Sequence, residues 1–233
     1  MIKIRKSQER GQANHGWLKS FHTFSFADYF DRNHMHFSDL RVINEDFIAA
    51  GQGFGKHPHQ DMEIITYVIS GALTHQDSMG NASIILPNEV QTMSAGTGVF
   101  HSEFNNSKIE ETHLLQIWIL PNAARLTPSY GQKSFANSFL KHNFVLVVSG
   151  SGRDDSIKIN QDVEIFSAKF LTKEELEFAI KNNRKIWIQI ISGKLSINGL
   201  TLENGDAAAI ENEKLLKIIA LENAEFLLFD LRP

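Results

Sequence analysis

Cysteine is absent from this chain, which excludes disulfides, thiolate metal sites and a cysteine nucleophile. Any metal must therefore be held by nitrogen and oxygen, and ten histidines and the carboxylates are the candidates. Long apolar runs are missing as well, so no segment is expected to cross a bilayer. There is no basic block either. Lys and Arg number 23 against 27 Asp and Glu, a formal net charge of −4, and nothing would track a phosphate backbone, so nucleic acid is not an expected partner. The start, "MIKIRKSQER", is charged and lacks the apolar segment and small-residue cleavage site of a secretory signal, from which a cytoplasmic location is expected. What is present is core material: 42% of the residues are hydrophobic, enough for one large domain or two small ones.

From about residue 40 to 120, short alternating runs ("LRVINEDFIAA", "MEIITYVISG", "ASIILPNEVQTM", "HLLQIWILP") are separated by Gly, Asn, Asp and Pro, the pattern of antiparallel strands in a sandwich or barrel. Residues 121–142 carry two prolines, a glycine and no clear period, and are expected to be a connector. Strands resume at "HNFVLVVSG" and "VEIFSAKFL". The stretch "TKEELEFAIKNN" predicts a short helix, with Thr172 as N-cap and Glu175 completing a capping box. Asn198-Gly199 predicts a two-residue hairpin turn. "ITYVISGAL" (65–73) and "IQIISGKL" (188–195) share a strand, a Ser-Gly and a second strand about half a chain apart, which favours two related β domains, 1–135 and 136–233.

In a strand, alternation sends His57 and His59 of "HPH" to one side and Pro58 to the other, with the histidine Cα atoms about 6–7 Å apart, close enough to share one ion. Pro58 cannot donate to a ladder, which suits a strand start or an edge. In "AGTGVFHSEFNN", His101 and Glu103 repeat the i, i+2 arrangement after a glycine-rich turn. Two such half-sites supply three imidazoles and a carboxylate, a much sharper signal than a lone pair. The pair His34 and His36 has no second half-site at a comparable interval and is assigned to a loop or pocket wall. His15, His22, His75, His113 and His142 stand singly and are assigned structural roles. The donor set fits a closed tetrahedral zinc site, or a six-coordinate iron, manganese, nickel or cobalt site with two positions open.

Gly51, His57, His59, Glu63 and Gly71 resemble the first cupin motif, with the last glycine one residue late, and Gly98, His101 and Asn105 resemble the second. "WLKSFHTFSFADYFD", "LRVINED", "HPHQDMEIITYVISG" and "AGTGVFHSE" resemble the pirin family more closely, and above all its bacterial members with quercetinase activity. The likeness is dense over residues 17–120 and continues more thinly to the C-terminus. It implies an all-β bicupin, two antiparallel jelly-roll (cupin) barrels packed face to face with few short helices. The first would bind metal. The second has no HxH and offers "GDAAAI" where the first offers histidine, so it would lack ligands.

Matched residue by residue, the resemblance implies His57, His59, His101 and Glu103 as metal ligands, while Glu63 fills the general cupin position without ligating. Gly96 stands where the second cupin motif usually has proline, itself a pirin-like form. The implied activity is that of a non-haem, metal-dependent dioxygenase, quercetin 2,3-dioxygenase, which cleaves a flavonol with O2 and releases carbon monoxide. Iron(II) is the implied cofactor, with manganese, nickel, cobalt, copper and zinc as alternatives. Glu103 is assigned as both ligand and general base, as the only carboxylate that can be placed beside the substrate hydroxyl from sequence. The alternative is a non-enzymatic, redox-responsive regulator that binds a transcription-related protein partner, as some pirin relatives do.

Overall fold

The computed structural model describes all 233 residues and is built almost wholly of antiparallel strands. Its one α-helix spans four residues, Ala136–Phe139, and no helix is long and apolar enough to cross a membrane. The chain forms two compact units. One comprises Gly11–Phe135 with Ile157–Gln161, the other Met1–Arg10, Ala136–Ser156 and Asp162–Pro233. A cut at residue 135 therefore misses a segment at each side. Ile2–Arg5 forms the sheet edge by pairing with Ala207–Ile210, in register from Ile2↔Ile210 to Arg5↔Ala207. Ile2 and Ile4 then pack on that unit's core. Pairing at a sheet edge is indifferent to distance along the chain, so no local signal announces it.

In the first unit, the larger sheet runs Ser129–Ser134, Glu89–Ser94, Glu63–Ser70, Thr112–Ile119, Leu40–Ile48, Leu18–His22, Gly11–Asn14. The smaller runs Gly53–His59, Val99–Phe104, Leu73–Asp77, Ala82–Ile85. Leu73 and Ile85 of the smaller sheet pack with Leu18, Ile48, Val68 and Leu114 of the larger. Ser129–Ser134 lies within the expected connector, yet it pairs along its whole length with Glu89–Ser94. Its partial burial on both faces gave no alternation to read.

The second unit repeats this frame. Ala207–Ile210, Lys185–Ser192, Ala224–Leu231 and Val163–Phe170 lie side by side in one sheet, and Glu175–Ala179, Leu215–Ala220, Lys194–Ile197 and Leu200–Glu203 in the other. Gly71 and Gly193 occupy equivalent turns with φ of +78° and +77°. A Cβ on Gly193 would stand 2.0 Å from the Asn223 carbonyl oxygen, and one on Gly71 2.8 Å from that of Glu111, so the shared Ser-Gly is a steric requirement in both units. Asn198 and Gly199 both take positive φ, as the two-residue turn demands.

The expected helix at 172–183 is instead the strand Glu175–Ala179, paired with Leu215–Ala220. Glu175, Glu177 and Ala179 are exposed while Leu176 and Phe178 pack on the core, a period of two that overrides helix propensity. Thr172 caps no helix; its backbone N–H and hydroxyl both donate to Asn223 Oδ1, at 2.9 and 3.0 Å.

Buried Asp206 ties the N-terminal segment down. It accepts hydrogen bonds from Lys6 Nζ (2.7 Å), the Ser7 backbone N–H (2.8 Å) and the Glu203 N–H (3.1 Å), which hold its carboxyl below the usual aspartate range despite burial. A depressed folded pKa stabilises above the unfolded value, roughly 3.9, and is lost as pH falls through the folded one. Asp206→Asn should lower stability at pH 7 by about 1–3 kcal/mol. In urea unfolding, the gap between variant and parent should narrow on acidification below pH 4.

Candidate metal centre

Gly53–His59 is an edge strand, and Pro58, exposed on its outer face, costs no ladder bond that the fold needs. It pairs with Val99–Phe104 so that Val99 faces His59 and His101 faces His57. Between His101 and Glu103 the register slips, Glu103 lying opposite Phe54; such a bulge re-aims side chains beside a site. His57, His59 and His101 thereby converge, with ring centroids 4.4, 4.8 and 4.9 Å apart and one nitrogen of each within 4.8 Å of the others. His101 and Glu103 form a second such group with His75. Of the four expected ligands, three imidazoles thus stand in one cluster and the carboxylate joins it through His101.

Burial and mutual proximity disfavour protonation of two of these rings. Burial, then the neighbouring His57, push His59 down to about 4, and burial with His57, His59 and His75 pushes His101 down to about 2. His57 Nδ1–H donates to the Gly55 carbonyl at 2.8 Å, leaving Nε2 with its lone pair. Both nitrogens of His101 are buried without a partner. The buried, partnerless nitrogens of His101 are costly unless a cation takes a lone pair, so the donor set fits a transition metal. Glu103 is buried too, its nearest donor being Thr66 Oγ1 at 3.5 Å, and desolvation with the nearby charge of Asp46 pushes its carboxyl up to about 7.

His57, His59 and Glu103 look into a cavity of about 530 Å³. Its walls are mostly apolar, with Leu18, Phe26, Phe54, Leu114 and Trp118 among them. One side is polar: Ser20 Oγ donates to Asp46 Oδ1 (2.5 Å) and His22 Nδ1–H to Asn44 Oδ1 (2.9 Å). Asp46, raised by burial to about 6, is a second carboxyl in this wall, so Glu103 is not alone beside a bound substrate as the sequence suggested. Asp46 sits mid-strand in "LRVINED", where only the partner strands reveal which face it takes.

Of the remaining histidines, His15 and His22 also line the cavity. His34 bonds Asp31 (2.7 Å) and His36 the Ser38 carbonyl (2.9 Å), and neither lines the cavity. His113 bonds Glu45 at 2.9 Å. Glu63 accepts from Ser94 and Asn160. His75 is the residue that sequence reading missed. Its signal was Asp77, two residues on along the same strand face, 3.3 Å from His75 Nε2.

In the second unit the strands equivalent to the two histidine strands are Glu175–Ala179 and Leu215–Ala220. Their inward positions hold Leu176, Phe178, Leu216 and Ile218, part of an unbroken apolar core that runs through Ile186, Leu195 and Phe226. No metal-ligating group of three forms there.

A jelly-roll barrel with a histidine cluster at the mouth of an apolar cavity is the architecture of a cupin. The family model described as Pirin matches residues 3–119, and the model described as the quercetinase C-terminal cupin domain matches 146–231. The chain belongs to the pirin family. It is 51% identical over 233 residues to the quercetin 2,3-dioxygenase of Escherichia coli strain K12, covering all of both chains. It is 43% identical to a putative quercetin 2,3-dioxygenase of Pasteurella multocida, covering 99% of this chain and 100% of that one. The structure of the bacterial pirin YhhW of Escherichia coli in complex with nickel(II) superposes with a TM-score of 0.96 at 50% identity, covering 100% of each chain.

Glu103 supplies a stability test on metal-free protein. Because its folded pKa is raised, the unfolded chain ionises first: the cost of the buried carboxylate is absent below about pH 4, grows through the interval, and is complete above about pH 7. In chelator, Glu103→Gln should therefore be more stable than the parent at pH 8 by about 1–3 kcal/mol. The advantage should vanish near pH 4, as denaturant midpoints would show.

Proposed function

We propose that this chain is a metal-dependent dioxygenase of the quercetin 2,3-dioxygenase type, acting on a flavonol or a related enolisable aromatic with O2. The observation that carries the reading is the convergence of three partner-poor imidazoles at an apolar cavity of about 530 Å³, a volume suited to one flat aromatic molecule. Relatives aligned over their whole length carry the quercetin 2,3-dioxygenase name.

His57, His59, His101 and Glu103 are the residues that would hold the metal, for which we favour iron(II). When bound, that ion would supply a Lewis acid to stabilise a substrate oxyanion and a centre able to react with O2. The protein's own part is positioning. Phe26, Phe54 and Trp118 offer ring surface to the aromatic substrate, and the apolar walls exclude water. Trp118 keeps its buried indole N–H without a partner, a donor for a substrate oxygen. Glu103, one of the carboxyls lining the cavity, is the group we assign to accept the flavonol 3-hydroxyl proton. Asp46, held by Ser20, shapes the polar wall opposite.

Anaerobic titration with quercetin should produce a flavonolate absorption band, with ring-cleaved product appearing on admission of air. His57→Ala and His101→Ala should lose metal by more than the roughly 10–100-fold that removing an outer-shell partner costs. Glu103→Gln should keep part of its metal and lose turnover. Retained activity in His101→Ala would break the site assignment, and loss of the flavonolate band in Asp46→Asn but not Glu103→Gln would move the base role to Asp46. Metal-loaded protein giving no band, but binding a protein partner in a redox-dependent way, would favour the regulator.

A further inference from the structure

His75 has no part in the site as described, yet it is fully buried and its Nδ1 has no hydrogen-bond partner. Its other nitrogen lies 3.3 Å from Asp77 Oδ2. Asp77 is itself fixed as an acceptor by Asn81 Nδ2 (2.8 Å) and by the backbone N–H groups of Met79 (2.9 Å) and Asn81 (3.0 Å). An ionised carboxylate only accepts, so Nε2 of His75 carries the proton and Nδ1 is left a bare lone pair. A carboxylate behind one imidazole nitrogen and a free lone pair on the other is the arrangement that supports a metal-bound histidine.

The strand register supplies the rest. Val99–Phe104 lies between Gly53–His59 and Leu73–Asp77, with Glu103 opposite His75 and His101 opposite Asp77. The donor atoms of His75, His101 and Glu103 lie within 4.8 Å of one another, and all three residues are buried. We propose that His75, His101 and Glu103 form a second, inner position for a divalent transition-metal ion, sharing His101 and Glu103 with the outer position that His57 and His59 complete.

Both positions use His101, so one ion occupies one or the other and the stoichiometry stays at one per chain. Two imidazoles and a carboxylate suit cobalt, nickel, zinc or iron rather than magnesium or calcium. His57, His59 and Glu103 line the cavity, whereas His75 and His101 do not, so an ion drawn inward meets the cavity only on its Glu103 side. The inner position presupposes that His101 and Glu103 bind a cation, as proposed above.

Cobalt(II) titration of chelator-treated protein, followed by calorimetry, tests this. The variant His57→Ala/His59→Ala, altered only at half-buried edge-strand positions, should still bind one Co(II) per chain, more than about 100-fold more weakly than the parent. Adding His75→Ala should weaken that residual binding at least tenfold further. Equal residual binding with and without His75, or none in the double variant, overturns the inner position while leaving the outer site intact. Absence of binding in the parent would sink both. Since His75→Ala empties a buried site and can compromise folding, ring ¹⁵N spectra of the double variant with Zn(II) give a second reading: the His75 Nδ1 resonance should move on metal addition, and an unmoved resonance overturns the proposal.

Discussion

The antiparallel pairing of Gly53–His59 with Val99–Phe104 governs this molecule's chemistry. Alternation alone would put His57 and His59 on one face of one strand and His101 and Glu103 on one face of another. The register that sets His57 opposite His101 brings the two faces together, and the bulge after His101 then lets Glu103 turn toward the interior. Once closed by the larger sheet, the site is dry enough that His59 and His101 lose any tendency to hold a proton and Glu103 resists giving one up. Rings that hold no proton and a carboxyl reluctant to ionise are what a hidden cation would find ready.

That arrangement works against the stability of the unit that carries it. Where the second unit fills its interior with an unbroken cluster from Ile186 to Phe226, the first buries polar side chains as well, Ser20, Asn44, Asp46 and Glu103 among them. Two copies of one strand frame have thus been filled to opposite ends. One is packed as a core, and the other keeps a cavity beside buried imidazole nitrogens that lack hydrogen-bond partners. Partnerless polar groups of this kind concentrate where a ligand is to be held.

Much of the frame was legible because strand alternation and turn chemistry are local. The HPH and HSE pairs, the Ser-Gly turns and the Asn198-Gly199 hairpin each announce themselves within a few residues. The failures share a cause. "TKEELEFAIKNN" has the composition of a helix, but its Leu176 and Phe178 answer to a core assembled from residues up to Phe226. Ile2–Arg5 finds its partner some two hundred residues away. His75 and Asp46 looked ordinary because what distinguishes them is the face they take and the strand that lies beside them.

The sequence by itself determined the all-β class, the two-fold repetition of the strand plan, and the restriction of the paired HxH and HxE motifs to the first copy. Tertiary structure alone decided which carboxyls share the cavity, that His75 stands behind the cluster, and that the N-terminal strand completes the second unit. The physical reason is that hydrogen-bonded register and burial are properties of pairs of segments far apart in the chain. Periodicity can tell which way a side chain points from its own strand, but only the partner strand determines what it meets.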